Sequence, residues 1–178
     1  MTAKNTGGDL PGPLRIAVYL LPFVFAIHNF EESLSMAEWS NRASLSLHPT
    51  VTTLQFAIAV SLFTLLGFLV IFLLPRLTAG RVYQGVICAF AGMLWLNVFF
   101  PHLLGALYLR SYTPGLVSAL VLNLPLSSAL IYLLIRAKLF QWKEALLLCA
   151  AGGISGALLA WIFLAIGKIV IRLQSGLI

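Results

Sequence analysis

Long apolar runs, broken by short polar or proline-bearing stretches, organise the chain. A helix needs about 20 residues to cross roughly 30 Å of hydrocarbon. On that rule the runs predict five membrane-spanning helices: Leu14–Ser35, Val51–Leu74, Val82–Leu109, Gly115–Ile135 and Ala145–Ile171. Pro22 predicts a kink in the first, and Pro75 ends the second. The connections are Met36–Thr50, Arg76–Arg81, Arg110–Pro114 and Arg136–Glu144. The first of them carries Glu38, Trp39, Arg42, His48 and Pro49, and Trp39 suits a membrane–water interface. Residues 1–13 are polar, with Gly7-Gly8 and Pro11-Gly12-Pro13. They read as a flexible tail, which leaves 14–178 as one transmembrane domain. The run from Ile16 to Ile27 has the length of a signal-peptide core. His-Asn-Phe-Glu-Glu follows it, however, where a cleavage region needs small neutral residues, so the segment is read as retained.

Composition turns the pattern into a class. Of 178 residues, 61% are hydrophobic and 9% charged, whereas charged residues make up about a quarter of a soluble domain. The expected fold is all-α, an integral membrane helical bundle. The formal charge of +6 comes from basic residues scattered singly between the spans. That distribution suits lipid headgroups and topology control and excludes a nucleic-acid surface. Five spans place the termini on opposite sides. Seven basic residues lie on the N-terminal side and four on the other, which predicts a cytoplasmic N-terminus in the cell (inner) membrane. Cys88 and Cys149 fall inside apolar segments without a CxxC neighbour and read as small buried hydrophobes. In the fifth span Gly152-x-x-x-Gly156 and Ala160 form a small-residue stripe. It admits another helix closely, within the chain or in a homo-oligomer.

The candidate chemistry lies in the polar residues that interrupt the spans. A charged side chain near a helix centre costs roughly 2.5–3.5 kcal/mol on insertion scales. His28, Glu31 and Glu32 lie in the last third of span one, Gln55 early in span two, Asn97 and His102 late in span three, and Asn123 early in span four. By the parity of the spans all seven face the half of the membrane that carries the 36–50 connection and the 110–114 turn. Such clustering is what a buried polar site or a water-filled cavity requires.

Residues three and four apart share a helix face, so Glu31 and Glu32 flank His28 one turn on. His-x-x-Glu and His-x-x-x-Glu both offer zinc two ligands from consecutive turns. By analogy with H-x-x-E-H, His28 and Glu32 are ligands and Glu31 is the general base. The opposite assignment of the glutamates is equally compatible. His102 is expected at a depth similar to that of His28, as a third ligand. Asn97 and His102 are five apart and diverge by about 140° on a regular helix. Pro101 cannot donate to the Asn97 carbonyl, and a local bulge there brings both to one face. Tyr112, in the turn Tyr112-Thr113-Pro114-Gly115, is either an ordinary turn residue or stands at the mouth of the site. Gln55 and Asn123 read as interhelical hydrogen-bonding residues, and His48 as a surface residue.

His28-Asn29-Phe30-Glu31-Glu32, followed by Asn97, His102 and Tyr112-Thr113-Pro114-Gly115, resembles the HXXEE domain family of small bacterial membrane proteins. The resemblance covers roughly residues 15–135. It implies no assigned activity, but it groups His28, Glu31, Glu32, Asn97 and His102 as one unit. The five-residue step from Asn97 to His102 is wider than the pairing expected of the family, which leaves the joint role of that pair open.

These features point first to an integral-membrane enzyme. A zinc-like divalent ion held by His28, Glu32 and His102 would lower the pKa of bound water toward about 7. Glu31, Asn97 and Tyr112 would assist hydrolysis of a lipid-like or amphiphilic substrate. Without a metal, Glu31 and Glu32 share a proton with His28, as an isomerase or cyclase requires. Ion- or proton-coupled transport is the rival from another class. Against it, the polar residues occupy one half of the membrane only. An accessory subunit is the last alternative.

Overall fold

The structure is a computed structural model that describes residues 10–43 and 49–176. Most of the expected N-terminal tail, and His48, lie outside these residues. Among the described residues every regular element is helical. Five helices are long and apolar enough to cross a membrane: Gly12–Ala43, Thr53–Phe72, Gly80–Leu109, Leu116–Arg136 and Trp142–Ser175. They correspond in order to the five expected spans.

Most boundaries shift by a few residues, and two of the shifts have a visible physical reason. The first helix does not stop at Ser35 but runs to Ala43. Met36, Trp39 and Ala43 form one inward face and pack with Val51, Phe56, Ala59 and Leu164. Glu38 and Arg42 stay outside and pair at 3.6 Å. Ser40 Oγ accepts from the Val51 N–H at 3.2 Å, tying the helix to the start of the second span. Trp39 is therefore buried in the bundle, at 5% exposure. The second helix ends at Phe72, before Pro75. Pro75 then lies in the first turn of a short helix, Leu74–Leu77, where its missing N–H has no partner to lose.

The distribution of residue types is the reverse of a soluble protein's. Ile16, Phe30, Leu34, Leu147 and Ile154 point outward, while His28, Asn29, His102, Ser118, Asn123 and Ser127 are buried. Such an exterior suits hydrocarbon, and it leaves the buried polar groups to satisfy one another. The third span packs along the fifth and also against the fourth. The first packs against the second and fourth, and the second against the fifth. Two apolar clusters result. The larger holds Leu14, Val18, Leu21, Phe25, Ile87, Leu94, Leu130 and Leu134. The smaller surrounds Trp39. His28 and Glu32 lie on the first span between the two.

The third and fifth spans approach closely because of glycine. A Cβ at Gly152 would overlap the Ala89 carbonyl, one at Gly156 the Met93 side chain, and one at Gly92 the Cys149 backbone. The Gly152/Gly156 stripe is thus filled by the third span of the same chain. An apolar cavity of about 120 Å³ remains beside it, lined by Phe25, Phe63, Phe90, Met93, Gly152 and Gly156 among others. It contains none of the candidate site residues.

These contacts make the glycines unequal. Gly152→Ala is expected to lower the thermal unfolding midpoint of detergent-purified protein, since a backbone carbonyl cannot yield and overpacking costs about 1–3 kcal/mol. Gly153→Ala meets only the end of the Leu96 side chain, at 2.6 Å, and is expected to stay close to wild type. Equal midpoints for the two variants would contradict this packing.

Candidate functional site

Two spans supply the centre of the site. The first presents His28 and Glu32 from consecutive turns of one face. The third presents Asn97 and His102, and a regular helix would not bring those two together. A kink within Val98–Leu103 does so: Phe100 leaves the helical conformation, with φ −134° and ψ 119°, and the Phe100–Pro101 peptide is cis. Proline lacks the N–H that a regular turn needs at that point, and the kink re-aims the residues after it. Asn97 Nδ2 lies 2.9 Å from His102 Nε2 and 3.0 Å from His28 Nε2. The two imidazoles meet edge to face, 4.8 Å between centroids and at 88°. Glu32 Oε1 completes the group, 3.3 Å from His102 Nε2 and 3.7 Å from His28 Nε2. Both histidines are 1% exposed and Glu32 13%.

The Asn97 amide lies between the two rings. With its Nδ2 donating to both, each Nε2 carries a lone pair. His28 Nδ1–H then donates to Ser118 Oγ at 3.0 Å, and the Ser118 hydroxyl donates to the Gly115 carbonyl at 3.2 Å. Thr113 Oγ1 donates to the His102 carbonyl at 2.9 Å, which ties the turn to the third span. In this arrangement both Nε2 lone pairs face inward, and the outer nitrogen of His28 is held from behind by Ser118. Metal-ligating histidines are oriented in this way.

The two glutamates, interchangeable by spacing, are separated by the structure. Glu31 Oε1 accepts from Tyr112 Oη at 2.5 Å and from the Val117 N–H at 3.1 Å. Its Oε2 accepts from the Ser118 N–H at 2.7 Å. Val117 and Ser118 belong to the first turn of the fourth span, where N–H groups lack partners within the helix and negative charge is favoured. Glu31 thus caps the fourth span and ties down the 110–115 turn. Glu32 alone faces the histidines. Tyr112 stands at the rim, 49% exposed. Its burial and the Glu31 carboxylate beside it push the phenol up to about 12.

Sequence reasoning did not single out Gly115 and Ser118. Gly115 has φ 81°, a conformation that costs other L-residues free energy. A Cβ there would lie 2.7 Å from Glu32 Cγ, 2.8 Å from His28 Cε1 and 2.9 Å from His102 Cε1. Its missing side chain is what lets the turn close over all three residues. The signal was present in the Thr-Pro-Gly turn, with Ser118 three residues on. Gln55 is elsewhere: its Nε2 donates to the Leu164 carbonyl at 3.1 Å, joining the second and fifth spans as an interhelical bond. Asn123 is buried in the fourth span, within the π-helical segment Ala119–Asn123. Behind the site, on the other face of the first span, a groove of about 430 Å³ runs between the first and second spans. Asn29, Ser33, Ser61 and Thr64 line it together with outward-facing Phe30 and Leu65.

Gly115→Ala is expected to destabilise the protein by about 1–3 kcal/mol from backbone strain alone, read as a lowered unfolding midpoint. A wild-type midpoint would show that the turn does not sit over His28 and His102 as described. Tyr112 adds a pH dependence. Its phenol is raised from 10.0, so the folded state holds the proton more tightly, and the contribution is complete below about pH 10. Stability should fall as pH rises toward 12, and less steeply in Tyr112→Phe. Parallel alkaline profiles for the two proteins would rule the contact out.

Comparison with known proteins agrees with this picture. The family described as "Protein of unknown function with HXXEE motif" matches residues 19–130, a stretch that contains every residue of the site. A protein of Bacillus subtilis (strain 168), named "Uncharacterized protein YrkK", is 33% identical over 132 residues. The match covers 74% of this chain and 83% of that protein. No solved structure matches the chain.

Proposed function

The chain belongs to the HXXEE family, and from the geometry of its polar centre we propose that it is an integral-membrane hydrolase dependent on a divalent metal ion. His28 Nε2, His102 Nε2 and a Glu32 carboxylate oxygen are the ligands. One observation carries the reading: ligand atoms of these three residues, from two helices, all lie within 4.8 Å of one another. Tetrahedral zinc with bonds of about 2.0–2.1 Å places its ligands about 3.3 Å apart. The contacts of Glu32 with the two rings, at 3.3 and 3.7 Å, are near that spacing. Two imidazoles and one carboxylate, with room for water, is a donor set that catalytic zinc uses. The metal would supply a hydroxide nucleophile near neutral pH. Asn97, within reach of both Nε2 atoms, would orient it. Glu31 would act through position, by holding the 110–115 turn and Ser118, rather than as the base.

The substrate class follows from the surroundings. The centre sits among spans whose outer faces are apolar. The mixed groove between the first and second spans brings polar groups and hydrocarbon to the level of Asn29, next to His28. A lipid-like or amphiphilic molecule fits that setting. In the orientation expected from the basic residues, the centre lies in the outer half of the cell membrane.

One observation favours a second reading. Glu32 is close enough to both imidazoles to exchange a proton through them without an ion, as an isomerase or cyclase needs. Metal analysis separates the two. Elemental mass spectrometry of purified protein should find near one equivalent of zinc or another divalent transition metal. His28→Ala, His102→Ala and Glu32→Gln should lose it, and Glu31→Gln should keep it. Wild type free of metal after reconstitution with several divalent ions would overturn the metal-dependent reading and favour proton transfer.

A further inference from the structure

Asn123 is fully buried, and among the described residues neither its Oδ1 nor its Nδ2 has a hydrogen-bond partner. An amide carries one acceptor oxygen and two N–H donors, and an unpaired one is costly where no solvent reaches it. The neighbouring polar side chains are already engaged. Ser127 Oγ donates to the Asn123 backbone carbonyl at 2.6 Å. Ser118 Oγ is shared between His28 and the Gly115 carbonyl.

The position of Asn123 gives the amide a direction. It ends the π-helical segment Ala119–Asn123, just before Pro125, which cannot complete a regular turn. In a π-helix residues about four to five apart share a face. Ser118 and Ala119 therefore lie above Asn123 on one side of the helix, and Ser118 touches His28. That segment packs against the first span, against the third span and against Val98–Leu103, which carries His102. Asn123 thus lies about one turn along the fourth span from Ser118, the residue in contact with His28.

We propose that Asn123 is the floor of a water-binding pocket continuous with the His28–Glu32–His102 centre. Water fits the amide because it both donates and accepts, and a buried water makes about three hydrogen bonds to groups of this kind. The pocket would keep a small reserve of water beside the centre inside an apolar membrane, as the co-substrate of hydrolysis or as a proton carrier. The inference stands whether or not the centre binds metal, so its test is separate from the metal analysis.

The test is thiol accessibility, because methanethiosulfonates react with thiolates and thiolates form only where water reaches. In a Cys88→Ala, Cys149→Ala background, Asn123→Cys and Val121→Cys would be reconstituted in nanodiscs and treated with aminoethyl methanethiosulfonate. Val121 is 64% exposed on the lipid-facing surface and serves as the dry reference. Asn123→Cys should be modified at least about tenfold faster. A rate equal to that of Val121→Cys would mean a dry amide and would overturn the proposal. If Asn123→Cys does not fold, Ala119→Cys, buried one turn nearer the centre on the same face, carries the same comparison with the same two outcomes.

Discussion

Hydrocarbon offers no hydrogen bonds, so a polar group inside a membrane protein must find its partner in the protein. The structure around His28 follows from that constraint. Glu31, near the rim of the site, takes the unpaired N–H groups at the start of the fourth span. Ser118 then joins two networks. Its backbone N–H goes to Glu31, and its hydroxyl receives the His28 Nδ1–H. Through this residue the cap on one helix fixes the ring orientation on another. The turn held by the same glutamate carries Gly115, the closest backbone above His28, Glu32 and His102. Breaking the Glu31 bonds would free the turn and the imidazole together.

Most of the architecture was legible because it depends on length and hydropathy. The five spans follow from apolar runs, and the depth of the polar residues follows from where they interrupt those runs. The extension of the first helix to Ala43 was not legible. Residues 36–43 mix apolar Met36, Ala37, Trp39 and Ala43 with polar Glu38, Ser40, Asn41 and Arg42, and only the packing of Trp39 and Met36 against Val51 and Leu164 shows that they form a half-buried helix. The same limit applies to Glu31 and Glu32. Helical spacing places both near His28 and cannot say which turns toward His102 and which toward a different helix. That distinction rests on long-range contacts: Glu31 with residues 112, 117 and 118, and Glu32 with 102. Ser118 and the role of Gly115 within its turn escaped notice because small residues carry no chemistry until something packs against them.

The two irregular helix segments share a cause that the sequence does show. Pro101 lies within one, and Pro125 follows the other by two residues. In each case a missing N–H leaves the preceding turn without a regular partner; the chain kinks at Phe100 in the first and widens over Ala119–Asn123 in the second. The consequence at Pro101 was predictable as a bulge that joins Asn97 to His102. The consequence at Pro125 is the same re-aiming, applied to Ser118 and Asn123. The Ala119–Asn123 segment packs against the first span and against Val98–Leu103, while Phe100 and Val121 of the two segments point outward.

Asn97 has the most specific task. His28 Nε2 and His102 Nε2 each point a lone pair into one small space, and Glu32 adds a carboxyl oxygen. Three electron-rich atoms this close repel one another unless something positive lies between them. Here the Asn97 amide hydrogens do that work, at 2.9 and 3.0 Å from the two nitrogens. A divalent cation in the proposed metal-bound form would do it more strongly, and Asn97 would then have to turn aside or present its oxygen. The same geometry therefore suits two partners, one built in and one from solution. An aspartate at 97 would add a negative charge to an already electron-rich space and would need the cation. An alanine would leave the lone pairs facing each other with nothing between them. A neutral amide at this position lets the site fold without an ion and, in the proposed metal-bound form, would still leave room for one.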